Sequence, residues 1–254
     1  MTARLDSEVA FVVGASSGIG KAVAERFARE GAQVAVADIR EEPRGGGRPT
    51  HEVIRDDGGE AEFFNCDLTD QSVVDDAVGA AVDTFGGIDI GFNSAGAMTR
   101  GPITETEESD MEMVIDVNLK GPMRFAKGVL PELIESDGTL INISSEAGER
   151  GIENLPVYCA SKGGVNTLTK QLAVEFGQKG VNVNAIAPGT TKTAINEEVR
   201  EENPEWVEER RKAIPIGLLN EPEDIAELAT YLASDGARKV NGAVVNIDGG
   251  TTAE

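Results

Sequence analysis

Basic residues are scarce in this chain, with 23 lysines and arginines against 45 aspartates and glutamates, for a net charge of −22. Sequence-independent affinity for nucleic acid needs clustered Lys and Arg, and so does attraction to an anionic membrane, so neither is an expected partner. Self-repulsion on this scale is relieved by counterions, which points to a salt-rich cytoplasm. Cysteine is nearly absent: only Cys66 and Cys159 occur. A soluble chain of this length folds without a disulfide, and a reducing, cytoplasmic compartment is expected. No apolar run approaches a membrane span, and Met1 to Ser7 contains no apolar core of the kind that directs secretion. The single histidine, His51, lies beside a Gly/Pro-rich stretch and is expected at the surface, not as a ligand; no metal is expected.

What is present is alternation. Strand-like apolar runs occur at Val9 to Val13, Gln33 to Ala37, Ala61 to Asn65, Ile88 to Asn93, Thr139 to Ser144, Asn182 to Ala187 and Ala243 to Ile247. Between them lie amphipathic stretches of helical length: Lys21 to Arg29, Gln71 to Phe85, Ser109 to Ile134, Val157 to Lys179 and Glu223 to Ala233. Parallel neighbours need crossover connections, so seven strands interleaved with helices predict one α/β domain over 1–254, a doubly wound Rossmann-type fold with a seven-stranded parallel sheet. Ligands then belong at the carboxyl ends of the strands. Two stretches interrupt the pattern. Pro43 to Pro49 is expected to be a mobile surface loop. Residues 189–215, with the charged helix-like Asn196 to Lys212 and the lone Trp206, are expected to form a substrate lid.

Directly after the first strand comes Gly14-Ala15-Ser16-Ser17-Gly18-Ile19-Gly20, followed at once by helical periodicity. Glycines allow a tight turn and close backbone approach, and the new helix offers free N–H groups to a pyrophosphate. The spacing is GxxxGxG, not the general GxGxxG. The second strand leads into Asp38 and Ile39, where a carboxylate can accept hydrogen bonds from an adenosine ribose and would repel a 2′-phosphate, so NAD is favoured over NADP. Arg40 is the nearest compensating cation. Farther on, Tyr158-Cys159-Ala160-Ser161-Lys162 places a phenol and an ammonium one helical turn apart. An unperturbed phenol titrates near ~10, and a neighbouring cation favours its ionised form. Cys159 points off that face and is expected to pack.

Taken together, GxxxGxG, Asp38, Asp67, Asn93-Ser94-Ala95-Gly96, Asn118, Ser145 and Tyr158-x-x-x-Lys162 resemble the short-chain dehydrogenase/reductase family, over essentially the whole length. The resemblance implies that Tyr158 is the general acid/base, and that Lys162 lowers its pKa and holds the nicotinamide ribose. It implies that Ser145 binds the substrate carbonyl or hydroxyl and that Asn118 holds a water in the proton relay. Ser144 is the adjacent alternative; Ser145 is preferred for its spacing from Tyr158. Cofactor contacts are implied at Gly14, Ser16, Ser17, Gly18, Ile19, Gly20, Asp38, Ile39, Asp67, Leu68, Asn93, Ser94, Ala95 and Gly96. They continue at Tyr158, Lys162, Pro188, Gly189, Thr191 and Thr193. Ser94 stands where the family more often has Asn, and polar Thr191 where an aliphatic residue is usual.

The implied chemistry is NAD-linked hydride transfer between nicotinamide and a carbonyl or secondary alcohol. Glu146, Ala147, Glu149, Arg150, Glu153 and Asn154 follow Ser145, and their polarity favours a sugar or polyol. Reduction of a 3-oxoacyl thioester is the alternative. An NAD-binding sensor or structural protein without turnover is a reading of another class, against which the full Asn118, Ser145, Tyr158, Lys162 set argues. A nucleotide-sugar epimerase or dehydratase shares the Tyr-x-x-x-Lys pair but usually has other glycine spacing and a larger C-terminal region. A homotetramer is implied, associating through the two long helices and the last strand with its preceding helix.

Overall fold

A computed structural model describes residues 3–193 and 196–253, apart from the side chains of Glu198 and Val199. Seven strands, β1 (Val9–Val13), β2 (Gln33–Asp38), β3 (Ala61–Asn65), β4 (Ile90–Asn93), β5 (Thr139–Ile143), β6 (Asn182–Pro188) and β7 (Val244–Ile247), form one sheet in the order β3-β2-β1-β4-β5-β6-β7. Every pairing is parallel. The long connections carry α1 (Gly18–Arg29), α2 (Thr50–Asp56), α3 (Gln71–Phe85), α4 (Glu108–Ile115), α5 (Gly121–Glu135), α6 (Pro156–Phe176), α7 (Glu197–Glu202), α8 (Pro204–Ala213) and α9 (Pro222–Ala233). This is the expected α/β doubly wound architecture.

Both faces of the sheet are covered, which is why β1 and β5 are buried at every position. Along β1, Ala10 and Val12 join Val23, Phe27, Phe92, Ile225 and Leu232 on one side. Phe11 and Val13 join Val78, Phe125, Leu133 and Leu172 on the other. Each such side chain contributes roughly 1.5–3 kcal/mol by leaving water. The strand order reverses between β1 and its two neighbours, β2 and β4, so their carboxyl ends splay around a crevice.

Four expectations change. Residues 50–56, where periodicity marks no element, form α2, and its inner side buries Thr50, His51 and Ile54. His51 is therefore not a surface residue: it is 6% exposed. Its ring packs against Phe63, and Nε2 stands 3.4 Å from a Glu41 carboxylate oxygen. The single helix expected over Ser109 to Ile134 is α4 and α5 joined by a π-turn at Asp116–Lys120. Asn196 to Lys212 is split into α7 and α8 at Asn203, whose side chain accepts from the Trp206 N–H just before Pro204. Pro43 to Pro49 is a turn strapped to the phosphate loop, the Arg44 N–H donating to Ser17 Oγ at 2.6 Å. Other element ends shift by up to three residues.

Candidate active site

The first turn of the site is shaped by glycine. Gly14 has φ +77°, and a Cβ there would stand 2.8 Å from the Ala95 nitrogen. A Cβ on Gly20 would run into the Gly14 carbonyl oxygen. Any larger residue would drive the turn from β1 into α1 out of shape. No acidic side chain lies in the first turn of α1, and Ser17, its N-cap, makes no side-chain cap, so the helix start is left as an anion cradle. Asp38 is fixed beside it: Oδ2 accepts from the Ser16 N–H at 3.1 Å and Oδ1 from the Arg40 N–H at 3.3 Å. Ser16 Oγ donates to the Arg40 carbonyl at 2.5 Å. Asp67 Oδ1 accepts from the Thr69 backbone and hydroxyl, both at 2.8 Å. The Leu68 carbonyl is held by Arg124 at 2.9 Å. Asn93 Oδ1 accepts from the Ala95 N–H at 3.1 Å, which folds Ser94 to Gly96 over the end of β1.

A cleft of about 570 Å³ runs from Asp38 to Tyr158 along these loops. Gly14, Ser17, Gly18, Ile19, Ile39, Asp67, Leu68, Ser94, Ala95, Gly96, Pro188, Gly189, Thr191 and Thr193 line it. Ser16, Gly20, Asn93 and Asn118 do not; they stand behind the lining and hold it in place. The fit to a dinucleotide is thus carried by a close-backbone cradle at one end and a carboxylate in the expected position.

At the other end α6 delivers Tyr158 and Lys162 from its first two turns. The Lys162 Nζ lies 5.8 Å from the Tyr158 ring centroid and donates to the Ile143 carbonyl at 2.8 Å. Ser145 caps the short turn at Glu146–Gly148, its Oγ accepting from the Ala147 N–H at 3.2 Å, and it hydrogen-bonds the phenol. Ser144 turns inward instead, donating to Asn166 Oδ1 at 2.5 Å. Asn118 sits in the π-turn, fully buried. Its Oδ1 accepts from the Ala97 N–H and its Nδ2 donates to the Ala97 carbonyl, both at 2.8 Å. Extra backbone width in a π-turn is frequent at functional sites.

The electrostatics depart from the expectation that the ammonium lowers the phenol. Burial is the largest influence on Tyr158, and with the nearby Cys159 and Glu146 it outweighs the Ser145 hydrogen bond, holding the pKa above the usual phenol value. Lys162 is drawn down to about 8 by burial. Two buried groups in low dielectric each resist charge, and no carboxylate among the described residues compensates the lysine.

Sequence reasoning missed part of the wall. Met98, Arg100, Met113, Val117, Ile152, Leu155 and Arg210 line the cleft, along with the expected Glu146 and Trp206. Arg150, Glu153 and Asn154 line an adjoining cavity of about 640 Å³. Ala147 and Glu149 reach neither. No group of three His, Cys, Asp or Glu is arranged to hold a metal among the described residues, and no described helix is long and apolar enough to cross a membrane.

Similarity to known proteins agrees with this geometry. Residues 14–252 match the family model described as Enoyl-(Acyl carrier protein) reductase. The chain is 38% identical to 2,5-dichloro-2,5-cyclohexadiene-1,4-diol dehydrogenase LinX of Sphingobium indicum, over 98% of each chain. It is 37% identical to D-threitol dehydrogenase of Mycolicibacterium smegmatis, over 98% of this chain and 94% of that one. A crystal structure of a candidate 2-deoxy-d-gluconate 3-dehydrogenase from Agrobacterium tumefaciens, with bound NADP, superposes with a TM-score of 0.89 at 36% identity, over 100% of this chain and 99% of that one. The chain belongs to the short-chain dehydrogenase/reductase family of oxidoreductases.

Proposed function

We propose that the protein is an NAD(H)-preferring dehydrogenase of a hydroxylated small molecule, a sugar or polyol, with Tyr158 as acid/base. The observation that carries this is the convergence of Ser145, Tyr158 and Lys162 at one end of a cleft whose other end presents the Asp38 carboxylate. Bound in this cleft, the nicotinamide supplies or accepts the hydride. The cradle at Gly14 to Gly20 would hold its phosphates, Asp38 its adenosine ribose, and Asp67, Leu68 and Asn93 to Gly96 the adenine side. Pro188 to Thr193 would flank the carboxamide, and Tyr158 and Lys162 the nicotinamide ribose.

The chain's own part is proton movement and orientation. Ser145 and Tyr158 hold the substrate oxygen between two hydroxyls. In reduction the phenol gives its proton to the carbonyl oxygen as hydride reaches carbon; in oxidation the phenolate takes the alcohol proton back. A phenol kept neutral by burial is suited to the donor role. Lys162, tied to Ile143, fixes the floor under the ring. Asp38 is the basis for preferring NAD, since an additional phosphate on the ribose would meet a fixed carboxylate. The segment at about 189–215, of which Trp206 and Arg210 line the cleft, acts as the lid.

A cytoplasmic homotetramer completes the proposal. Exposed Met123 on α5, Val174 on α6 and Tyr231 on α9 supply apolar contact faces on the helices concerned. A single-chain mass by light scattering in high salt would rule out that assembly.

A second reading, reduction of 3-oxoacyl thioesters, is favoured by the apolar wall of Met98, Met113, Ile152 and Leu155. NADH absorbance over aldoses, sugar acids, polyols and 3-oxoacyl thioesters, with NAD and NADP in parallel, separates the two. Turnover restricted to thioesters favours the second, and activity with NADPH at or above that with NADH removes the cofactor assignment.

A further inference from the structure

Most arginines on the outer surface of this acidic chain are spent on carboxylates: Arg26 on Glu30 and Glu227, Arg29 on Glu25, Arg48 on Asp56, Arg55 on Glu62. Arg40 and Arg44, without an ion pair among the described residues, line the adenosine end of the cleft. Two that line the reacting end of the cleft, Arg100 and Arg210, have no carboxylate partner among the described residues. Both also line the adjoining cavity, and with Ile152 they form the boundary between the two spaces. The Arg210 guanidinium lies 5.4 Å from the centre of the Trp206 ring, which limits where it can turn. Arg150, the third arginine of the adjoining cavity, pairs with Glu146 at 3.0 Å; burial still holds that carboxyl above its usual pKa, and the Arg210 charge acts on it in the opposite direction without forming an ion pair. Glu153 is the remaining acid on that wall.

Unpaired guanidiniums in a chain with a twofold excess of acids are poor choices for a neutral pocket. They are well suited to an anion, because the planar fork donates two parallel hydrogen bonds to a carboxylate or phosphate. Their field also offsets the repulsion that the acidic exterior exerts on an approaching anion. We infer that Arg100 and Arg210 form an anion subsite, so that the substrate carries a carboxylate or phosphate beside the carbon presented to Ser145 and Tyr158. This rests on the reading of that pair as the reacting end, and it narrows the substrate from a neutral polyol to a charged one.

Two matched pairs of probes test it: D-gluconate against D-glucitol, and dihydroxyacetone phosphate against dihydroxyacetone, in each of which the anionic group stands close to a carbon that could be presented for hydride transfer. The charged member of one pair is expected to be favoured in kcat/KM by about tenfold or more, the scale of a charge-assisted hydrogen bond. Preference in the first pair identifies a carboxylate and in the second a phosphate. In Arg100→Gln and Arg210→Gln that ratio falls towards one through KM, and Arg210→Lys recovers part of it. Trp206, the only tryptophan, reports binding without turnover: its emission, excited at its red edge, should respond to the charged probe and not to the neutral one. A silent Trp206 with both charged probes, or ratios near one in the wild type, overturns the subsite. Charged-probe binding that both Gln variants abolish, with no turnover of any probe, upholds the subsite and sinks the dehydrogenase reading instead.

Discussion

The two ends of the cleft are built from different materials. At the adenosine end, recognition is carried by main chain: Gly14, Gly18 and the backbone of Ser16 and Arg40 set the shape, and the Asp38 carboxylate is held by two N–H groups. At the reacting end it is carried by long side chains from separate elements, with Arg100 after β4, Glu146 and Arg150 after β5, Tyr158 and Lys162 on α6 and Arg210 on α8. A backbone cradle changes only if the turn itself changes, whereas a side-chain wall can be rebuilt one residue at a time. The cofactor end should therefore be sensitive to added atoms, and the reacting end to removed functional groups.

The sharpest break of that contrast is Tyr158→Phe, which removes one oxygen and leaves the ring. It should lower kcat by about 10²–10⁴, the usual contribution of a positioned proton donor, while NADH binding by fluorescence weakens by no more than one lost ribose hydrogen bond, about 0.5–1.5 kcal/mol. Retention of wild-type rates would remove Tyr158 from the chemistry. Asp38→Ser is the counterpart at the other end. It should cost about 1–3 kcal/mol in NAD binding and improve NADP, because the ribose loses its acceptor and Arg40 and Arg44 line the same part of the cleft. Competition between the two cofactors measures it, and an unchanged ratio refutes the role given to the carboxylate.

The raised pKa of Tyr158 sharpens the comparison further. At neutral pH the phenol is protonated, ready for reduction and not for oxidation. Alcohol oxidation should climb by about tenfold per pH unit below the phenol's pKa, while carbonyl reduction stays level over the same range. Parallel profiles for the two directions would show that another group sets the proton supply. Gly20→Ala is smaller in effect and purely steric. Its methyl group collides with the Gly14 carbonyl, so about 1–3 kcal/mol of stability and a higher cofactor KM are expected, with little loss of kcat at saturation. Thermal melts and cofactor titrations separate these terms.

Most of the sheet was legible because parallel strands buried on both faces are continuous apolar runs; β1, β3 and α3 end at the residues that periodicity marks. The glycine motif was legible because its requirement is local. α2 was not, since a seven-residue helix following Gly45-Gly46-Gly47 has too few turns to show a period, and with it the burial of His51 was lost. The π-turn around Asn118 escaped for a related reason: one extra residue in a turn barely disturbs an amphipathic pattern spanning both flanking helices. Tyr158 and Lys162 were visible as a pair, but the sign of the phenol's shift depends on the burial around them, which their spacing does not encode. Arg100 and Arg210 were hidden among fourteen arginines, because only the folded chain separates those paired on the surface from those facing the cleft.

Salt should act with opposite sign on those two groups. The exterior carries most of the −22 charge, and screening relieves its self-repulsion, the Debye length falling from about 10 Å at 0.1 M to about 3 Å at 1 M. Tm should therefore rise with KCl, by about 2–4 °C for each kcal/mol gained in a chain of this size. The cleft guanidiniums lose attraction under the same screening, so KM for a charged substrate should rise over the range in which Tm improves, while KM for its neutral counterpart stays flat. A Tm that does not rise in molar KCl would remove the salt-adapted reading of the surface. A KM that falls with salt for the charged substrate alone would mean that repulsion from the acidic exterior, not attraction by the arginines, governs entry to the cleft.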